Sequence, residues 1–249
     1  MKRIKIWIKT IYYHIVAWKC RKNAEFLSIN ETLQQIIDKE KSFIRYGDGE
    51  FIIMNGGSIH YQDADKNLED RLKKIINEYI HSNGEGRYLL GMPVPFFECS
   101  GLKLSQKRVW VSSWAKARYN YKKRFDLRNV HYGDAFLFSK QYEEEYKRIW
   151  IDVENVIFVH NNKIYSEKFK SIYNIETTFI KVPSKNAFSE YDDILKRILI
   201  ELEKNRNKNN IVLISAGPSA KVLVYDLSKI GIKAIDTGHC WDEPLYIPN

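Results

Sequence analysis

The hydrophobic pattern near the end of the chain predicts a β-α-β unit. Residues 211–215 read as a continuous apolar strand, residues 216–219 as a tight loop and residues 220–230 as a helix that stops at Gly231. Residues 233–236 then return to the short apolar run of a strand. A strand, a crossover helix and a second strand in this order imply parallel pairing with a right-handed connection.

Similar patterns occur along most of the chain. They predict helices over residues 31–39, with Asn30 as the cap, 68–80, 143–150 and 191–203. They predict strands over residues 42–46, 88–91, 135–139 and 156–160. Residues 104–128 predict a basic, aromatic helix, to which we assign no chemistry. The alternation favours a Rossmann-like α/β fold, an open and mostly parallel sheet flanked by helices.

The amino-terminal segment has a different pattern. Apolar residues fall at helical spacing, with lysines largely on the other side; they are Ile4, Trp7, Ile8, Ile11, Ile15 and Trp18. A helix lying in a membrane interface and a helix packed on the protein's own core both fit this pattern. We therefore divide the chain into a basic amphipathic segment, residues 1–24, and one larger domain, residues 25–249.

Charge narrows the class of partner. The formal net charge is +9, and seven basic residues precede the first acid, Glu25. Nucleic acid, an acidic bilayer and phosphorylated small molecules all suit such a chain. Three scattered cysteines without metal-ligand spacing favour a reducing compartment and no structural zinc. With no long apolar span and no secretory signal, we expect a cytoplasmic protein, with peripheral attachment to the inner face of the membrane left open.

The candidate chemistry begins at Asp48-Gly49-Glu50, directly after the predicted strand over 42–46. Two carboxylates one residue apart, with glycine beside the first, can face one hard cation, while Arg45 is placed for an anion. The alternative is a surface turn with an ion pair.

A second candidate lies at the predicted loop over 216–219. The first turn of the following helix offers free N–H groups to phosphate, at the sheet edge where ligands bind. The loop lacks the dinucleotide-binding and P-loop signatures. Asp236 and His239 end the next strand at the same edge, and they are the preferred candidates for a general base.

Several motifs, in order, carry a resemblance to a known family. They are residues 43–51 (FIRYGDGEF), 57–62 (GSIHYQ), 90–93 (LGMP), 133–136 (GDAF), 183–188 (PSKNAF), 217–220 (GPSA) and 236–239 (DTGH). In these the chain resembles the bacterial GT-D-fold glycosyltransferases, a family first catalogued as a domain of unknown function. Lys140 stands where that family usually has an arginine.

The resemblance implies a glycosyltransferase, a hexosyltransferase that uses a nucleotide-sugar donor, with UDP as the expected nucleotide. It implies a divalent metal, Mn²⁺ or Mg²⁺, at Asp48 and Glu50. The catalytic residues expected are Asp48 and Glu50 for the metal and, for the base, Asp236 or His239, which their strand-end position favours over Asp63 and Asp65. The implied donor-binding residues are Arg45, Gly47, Gln62, Ser184, Lys185, Asn186, Gly217, Pro218, Ser219 and Ala220.

The acceptor implied is a glycan of bacterial surface polysaccharide or glycoprotein biosynthesis, and a lipid-linked acceptor would suit the amphipathic amino terminus. No nucleic acid partner is expected. Two other functions stay open on the residues alone: a metal-dependent phosphodiester hydrolase or nuclease, and a non-catalytic membrane-associated binding protein.

Overall fold

The computed structural model describes residues 25–94 and 130–242, together with residues 4, 5, 7, 8, 11, 12, 15, 97 and 119. Within these residues, eight strands form one sheet. They are β1 (Glu25–Phe26), β2 (Ser42–Arg45), β3 (Tyr88–Met92), β4 (His131–Asp134), β5 (Asn155–His160), β6 (Glu176–Lys181), β7 (Asn210–Ile214) and β8 (Ala234–Asp236). Trp18, and all of the predicted helix over 104–128 except Tyr119, lie outside the described residues.

Helices connect these strands. They are α1 (Ile29–Ile37), α2 (Asp48–Ile53), α3 (Lys66–His81), α4 (Glu143–Tyr146), α5 (Ile164–Tyr173), α6 (Tyr191–Lys204) and α7 (Pro218–Lys229). Short 3-10 turns cover Lys140–Tyr142, Lys147–Ile149 and Ala187–Glu190. Among the described residues, no helix combines the length and the apolar content that a bilayer crossing requires.

The sheet is open, and its strand order is β1-β4-β3-β2-β8-β7-β5-β6. Every pairing between these strands is parallel. The junction between β2 and β8 therefore divides the sheet into two halves, one made of β1 to β4 and the other of β5 to β8. In open α/β sheets, a reversal of strand order of this kind opens a crevice at the carboxyl ends of the strands.

Local sequence explains the best-defined helices. Ser28 and Glu31 form a capping box at the start of α1, and Asp65 caps α3 by accepting the N–H of Leu68. Pro218 begins α7, where the missing N–H of proline has no cost. α7 is buried on most sides, between α3 and strands β2 and β8, and seven of its twelve residues are apolar.

The parallel α/β fold and most predicted elements are confirmed, but two predictions were wrong. The cap of α1 is Ser28 rather than Asn30. The strand assigned to 135–139 lies earlier, at His131–Asp134, and the apolar run 135–138 is a buried turn instead. Phe138 of this turn packs on the core rings of Phe43, Tyr146 and Trp150, and a local strand pattern does not encode such contacts. Helix α2, helix α5 and strand β6 were not predicted.

Candidate functional site

A cavity of about 600 Å³ lies at the carboxyl edge of the sheet. This volume is in the range of pockets that hold small-molecule ligands. Loops that follow seven of the eight strands, β2 to β8, line it. The lining residues used below are Arg45, Gly47, Asp48, Glu50, Tyr61, Gln62, His160, Ser184, Gly217, Pro218, Lys221, Gly238, His239 and Asp242.

The floor of the cavity is a buried ion cluster around Lys221 of α7. Its Nζ lies 3.1 Å from Glu50 Oε1 and 3.1 Å from Asp236 Oδ2, and it donates to the carbonyl of Gly217 at 3.2 Å. Burial alone would lower the pKa of Lys221, but Asp236 and Glu50 raise it overall. Lys221 is therefore a fixed cation that joins the acidic motif after β2 to the end of β8.

Arg45, the last residue of β2, is held from three sides. Its backbone N–H donates to Asp236 Oδ2 at 3.2 Å, and its Nη1 donates to the carbonyl of Ala135 at 3.0 Å. Its guanidinium lies over the ring of Phe138, 5.6 Å from the centroid. The buried Nε of Arg45 has no hydrogen-bond partner among the described residues. Arg45 lines the cavity, and a guanidinium in that position suits an anionic ligand.

The acidic motif forms the first turn of α2. Glu50 Oε2 accepts the N–H of Gly47 at 2.7 Å, and Asp48 is half-buried and lines the cavity. The ion pairs join Arg45 and Lys221 to Glu50 and Asp236, and two more carboxylates, those of Asp48 and Asp242, line the cavity. This excess of carboxylates over lysine and arginine side chains suits an added cation.

The metal predicted from the sequence fits these residues only if substrate phosphate and water supply its other ligands. Within the described ranges, no three His, Cys, Asp or Glu side chains are grouped to hold an ion. Mg²⁺ and Mn²⁺ sites often use one or two carboxylates and take their other ligands from substrate phosphate and water. Asp48 can supply one such oxygen, and Glu50 retains lone pairs beside its contacts with Lys221 and Gly47.

Aromatic and imidazole groups also line the cavity. His239 Nδ1 lies 3.2 Å from Asp242 Oδ1, and the His239 side chain is 50% exposed. The ring of Tyr61 meets His239 edge-on, and burial followed by the nearby Glu50 raises the pKa of Tyr61 to about 12. Tyr61 also packs against Gly217, where a Cβ would lie 2.9 Å from the ring and where φ is +54°. Only glycine fits that position without strain.

His160, at the end of β5, is buried and also lines the cavity. Its Nδ1 accepts the N–H of Asn162 at 3.1 Å, which requires an unprotonated nitrogen. Burial lowers the pKa of His160 below its ordinary value of 6.5. His160 therefore presents a neutral ring to the cavity at neutral pH.

The structure brings most of the residues predicted from sequence to this cavity. Those that line it are Arg45, Gly47, Asp48, Glu50, Gln62, Ser184, Gly217, Pro218 and His239. Asp236 lies beneath them, fully buried.

Other predicted residues do not line the cavity. Lys185 and Asn186 are engaged with Asp63, Lys185 through an ion pair of 3.3 Å and Asn186 through two hydrogen bonds of 2.8 Å. Ser219 and Ala220 are buried in the first turn of α7, and Ser219 Oγ has no partner within the described part of the chain. They can shape the start of this helix but are not part of the cavity surface.

Sequence reasoning missed Lys221, Tyr61, His160 and Asp242 as site residues. For His160 a signal existed, since it ends a buried strand at the ligand edge of the sheet. For Lys221 the signal was weaker. A lysine between the apolar residues of the first turns of α7 requires a buried counter-ion, but the pattern does not say which one.

An open parallel sheet with a ligand-sized cavity at its carboxyl edge places the protein in the α/β class of ligand-binding folds. The family model "Glycosyltransferase GT-D fold" matches residues 43–244. The chain belongs to this family.

Curated relatives agree. The chain is 27% identical over 227 residues to "Probable glycosyl transferase Gly" of Streptococcus gordonii, covering 86% of this chain and 31% of that protein. It is 26% identical over 231 residues to "Glycosyltransferase GlyD" of Streptococcus pneumoniae serotype 4, covering 85% of this chain and 26% of that protein. The chain thus spans under a third of the length of these relatives.

Solved structures share the fold. One, described as domain of unknown function 1792 with a distinct glycosyltransferase fold, superposes with a TM-score of 0.74 at 28% identity, covering 92% of this chain and 83% of that one. Another, described as a new glycosyltransferase from Streptococcus sanguinis, gives a TM-score of 0.70 at 28% identity, covering 89% and 83%.

Proposed function

We propose that this protein transfers a hexose from a nucleotide-sugar donor, with UDP as the nucleotide, to a glycan acceptor of bacterial surface polysaccharide or glycoprotein. One observation carries the proposal. The acidic turn at Asp48 and Glu50 and the amino-terminal turn of α7, far apart in sequence, line one cavity. Family membership supports glycosyl transfer as the reaction.

The diphosphate of the donor is the group that the cations would hold. Arg45 would offer its guanidinium, Lys221 would add a fixed positive charge, and the start of α7 would contribute the positive end of the helix dipole. Breaking the bond between the sugar and the diphosphate puts negative charge on the departing oxygens. Donors already fixed in place stabilise that charge without reorganising.

The charge balance explains why donor binding would require a metal. The cavity and its floor hold more carboxylates than lysine and arginine side chains, and this excess of negative charge opposes a diphosphate. A Mn²⁺ or Mg²⁺ ion, held by Asp48 with Glu50 beside it, would offset that charge and supply Lewis-acid stabilisation of the leaving group.

His239 is the better placed of the two candidate bases. Asp236 contacts Lys221, the N–H of Arg45 and the N–H of Gly238, and it is fully buried. With its Nδ1–H donated to Asp242, His239 would carry a lone pair on Nε2, from which it could accept the proton of an acceptor hydroxyl. Asp242 would then orient the ring.

Thermal shift with UDP, with and without Mn²⁺, tests the proposal. UDP should raise the melting temperature only when Mn²⁺ is present, and Asp48→Asn should remove that shift. Asp70→Asn is the matched control, since Asp70 lies on α3 in an exposed ion pair with Lys66. A UDP shift independent of Mn²⁺, or one that Asp48→Asn retains, would contradict the mechanism.

A screen of nucleotide sugars for release of free nucleotide then identifies the donor. The same assay separates the proposal from a nuclease, which would cleave nucleic acid and leave every nucleotide sugar intact. A protein that binds neither metal nor nucleotide would instead be a non-catalytic binding protein.

A further inference from the structure

Large apolar side chains are exposed at the amino terminus. The described residues 4, 5, 7, 8, 11, 12 and 15 are helical. Ile8 is 61% exposed, Ile11 is 54% exposed, and Ile4, Trp7 and Ile15 are exposed to similar degrees. Of the two interpretations of the sequence pattern, these exposures therefore do not fit a helix packed on the protein's own core.

These side chains form one face. On an ideal helix of about 100° per residue, Ile4, Trp7, Ile8, Ile11 and Ile15 fall within an arc of about 100°. Tyr12 lies about 40° beyond that arc, and its ring centroid is 6.2 Å from that of Tyr119. This contact is thus beside the apolar face, whose five side chains are themselves exposed.

Charge is concentrated in the same segment. Seven lysines and arginines and no acid occur in residues 1–24, and they account for most of the formal net charge of +9. Lys5 is exposed and, like Lys9 by its sequence position, falls outside the apolar arc. An apolar stripe with an aromatic ring, beside a block of cations, is the pattern of a helix that lies in an anionic bilayer surface.

We propose that this face binds the surface of an anionic membrane, with Trp7 and the isoleucines inserted at headgroup depth. A second copy of the chain is the less suitable occupant. Pairing two such faces would bring two blocks of seven cations together without an acid to offset them. A nucleic acid would use the cations but not the isoleucines. This inference is independent of the proposed function.

Sedimentation of the full chain with vesicles tests the proposal. We expect binding to vesicles of phosphatidylcholine with phosphatidylglycerol, weaker binding to phosphatidylcholine alone, and weakening by added salt. Ile8→Glu and Ile11→Glu should each reduce affinity about tenfold or more, because each removes an inserted isoleucine. Ile172→Glu and Ile230→Glu are matched controls, since these isoleucines are 69% and 61% exposed on α5 and after α7.

Three results would overturn the proposal. One is equal vesicle binding by the Ile8→Glu and Ile172→Glu proteins, which would reduce the attachment to charge alone. A second is no binding to anionic vesicles by the unmodified chain. A third is a mass in solution that halves on Ile8→Glu without any vesicle binding, which would make the face a contact between copies. Unchanged melting temperatures of the variants would show that the domain remains folded.

Discussion

Replacing Lys221 with methionine would leave two buried carboxylates facing each other. The side chains of Lys221, Glu50 and Asp236 are only 7%, 8% and 0% exposed, so water cannot replace the missing ammonium. Arg45 would remain, but its Nη2 lies 3.9 Å from Asp236 Oδ1. Removing one partner of a buried ion pair typically costs about 3–5 kcal/mol, which we expect for Lys221→Met.

The expected loss is large enough for a simple assay. For a domain of this size, 1 kcal/mol corresponds to roughly 2–4 °C in melting temperature, so Lys221→Met should melt about 6–20 °C lower. Lys229→Met, on the same helix, is the matched control. Lys229 lies 2.8 Å from Glu78, but its side chain is 53% exposed, and such pairs contribute below about 1 kcal/mol.

The pH dependence adds a second check. Because the pKa of Lys221 is raised above its ordinary value of 10.5, its contribution is complete below that value and is lost only as pH rises beyond it. The difference in melting temperature between Lys221→Met and the unmodified protein should therefore be constant between about pH 6 and about pH 9. Equal melting temperatures of Lys221→Met and Lys229→Met would refute the buried cluster.

Two other substitutions probe the cavity. Gly238→Ala should weaken UDP binding about tenfold or more, because its Cβ would lie 1.5 Å from Arg45 Nη2 and φ is +52°. Gly86→Ala is the control, because a Cβ there meets nothing within 4 Å, and it should leave the UDP affinity measured by calorimetry unchanged. Equal UDP affinities of the two variants would contradict the close approach of Gly238 to Arg45. His160→Gln should make stability less sensitive to acid. The lowered pKa of His160 favours the neutral ring in the folded state, so the unmodified protein loses this part of its stability as pH falls through 6.5. If the melting temperatures of the His160→Gln and unmodified proteins fall by the same amount between about pH 7.5 and about pH 5.5, this expectation is contradicted.

The sequence predicts the parallel sheet well because burial on both faces leaves continuous apolar runs. β7 and β5 are of this kind, and α7 follows β7 with a clear start and stop. The error at 135–139 has the same origin. Phe138 packs on core rings and lies beneath the guanidinium of Arg45, and the carbonyl of buried Ala135 accepts from that arginine. Local pattern cannot distinguish a strand from a turn buried under a site.

The candidate site shows the same limit. Asp48 and Glu50 were found because glycines beside carboxylates are a local signal. Lys221 could not be assigned, since its partners come from β8 and α2. Lys185 and Asn186 were assigned to the donor by resemblance, whereas the structure pairs both with Asp63. Which polar residue faces a cavity and which faces a neighbouring loop is decided by tertiary contacts.

The bond between Arg45 and Asp236 has a consequence for biosynthesis. Its partners are separated by 191 positions, and the two strands that carry them pair with each other. During translation the first half of the sheet leaves the ribosome long before β8 exists, so a nascent chain has Arg45 without its carboxylate. Contacts of such long sequence separation form slowly. The cavity is thus completed only after β8 has been made, and nascent chains that end before β8 carry the acidic motif without Asp236.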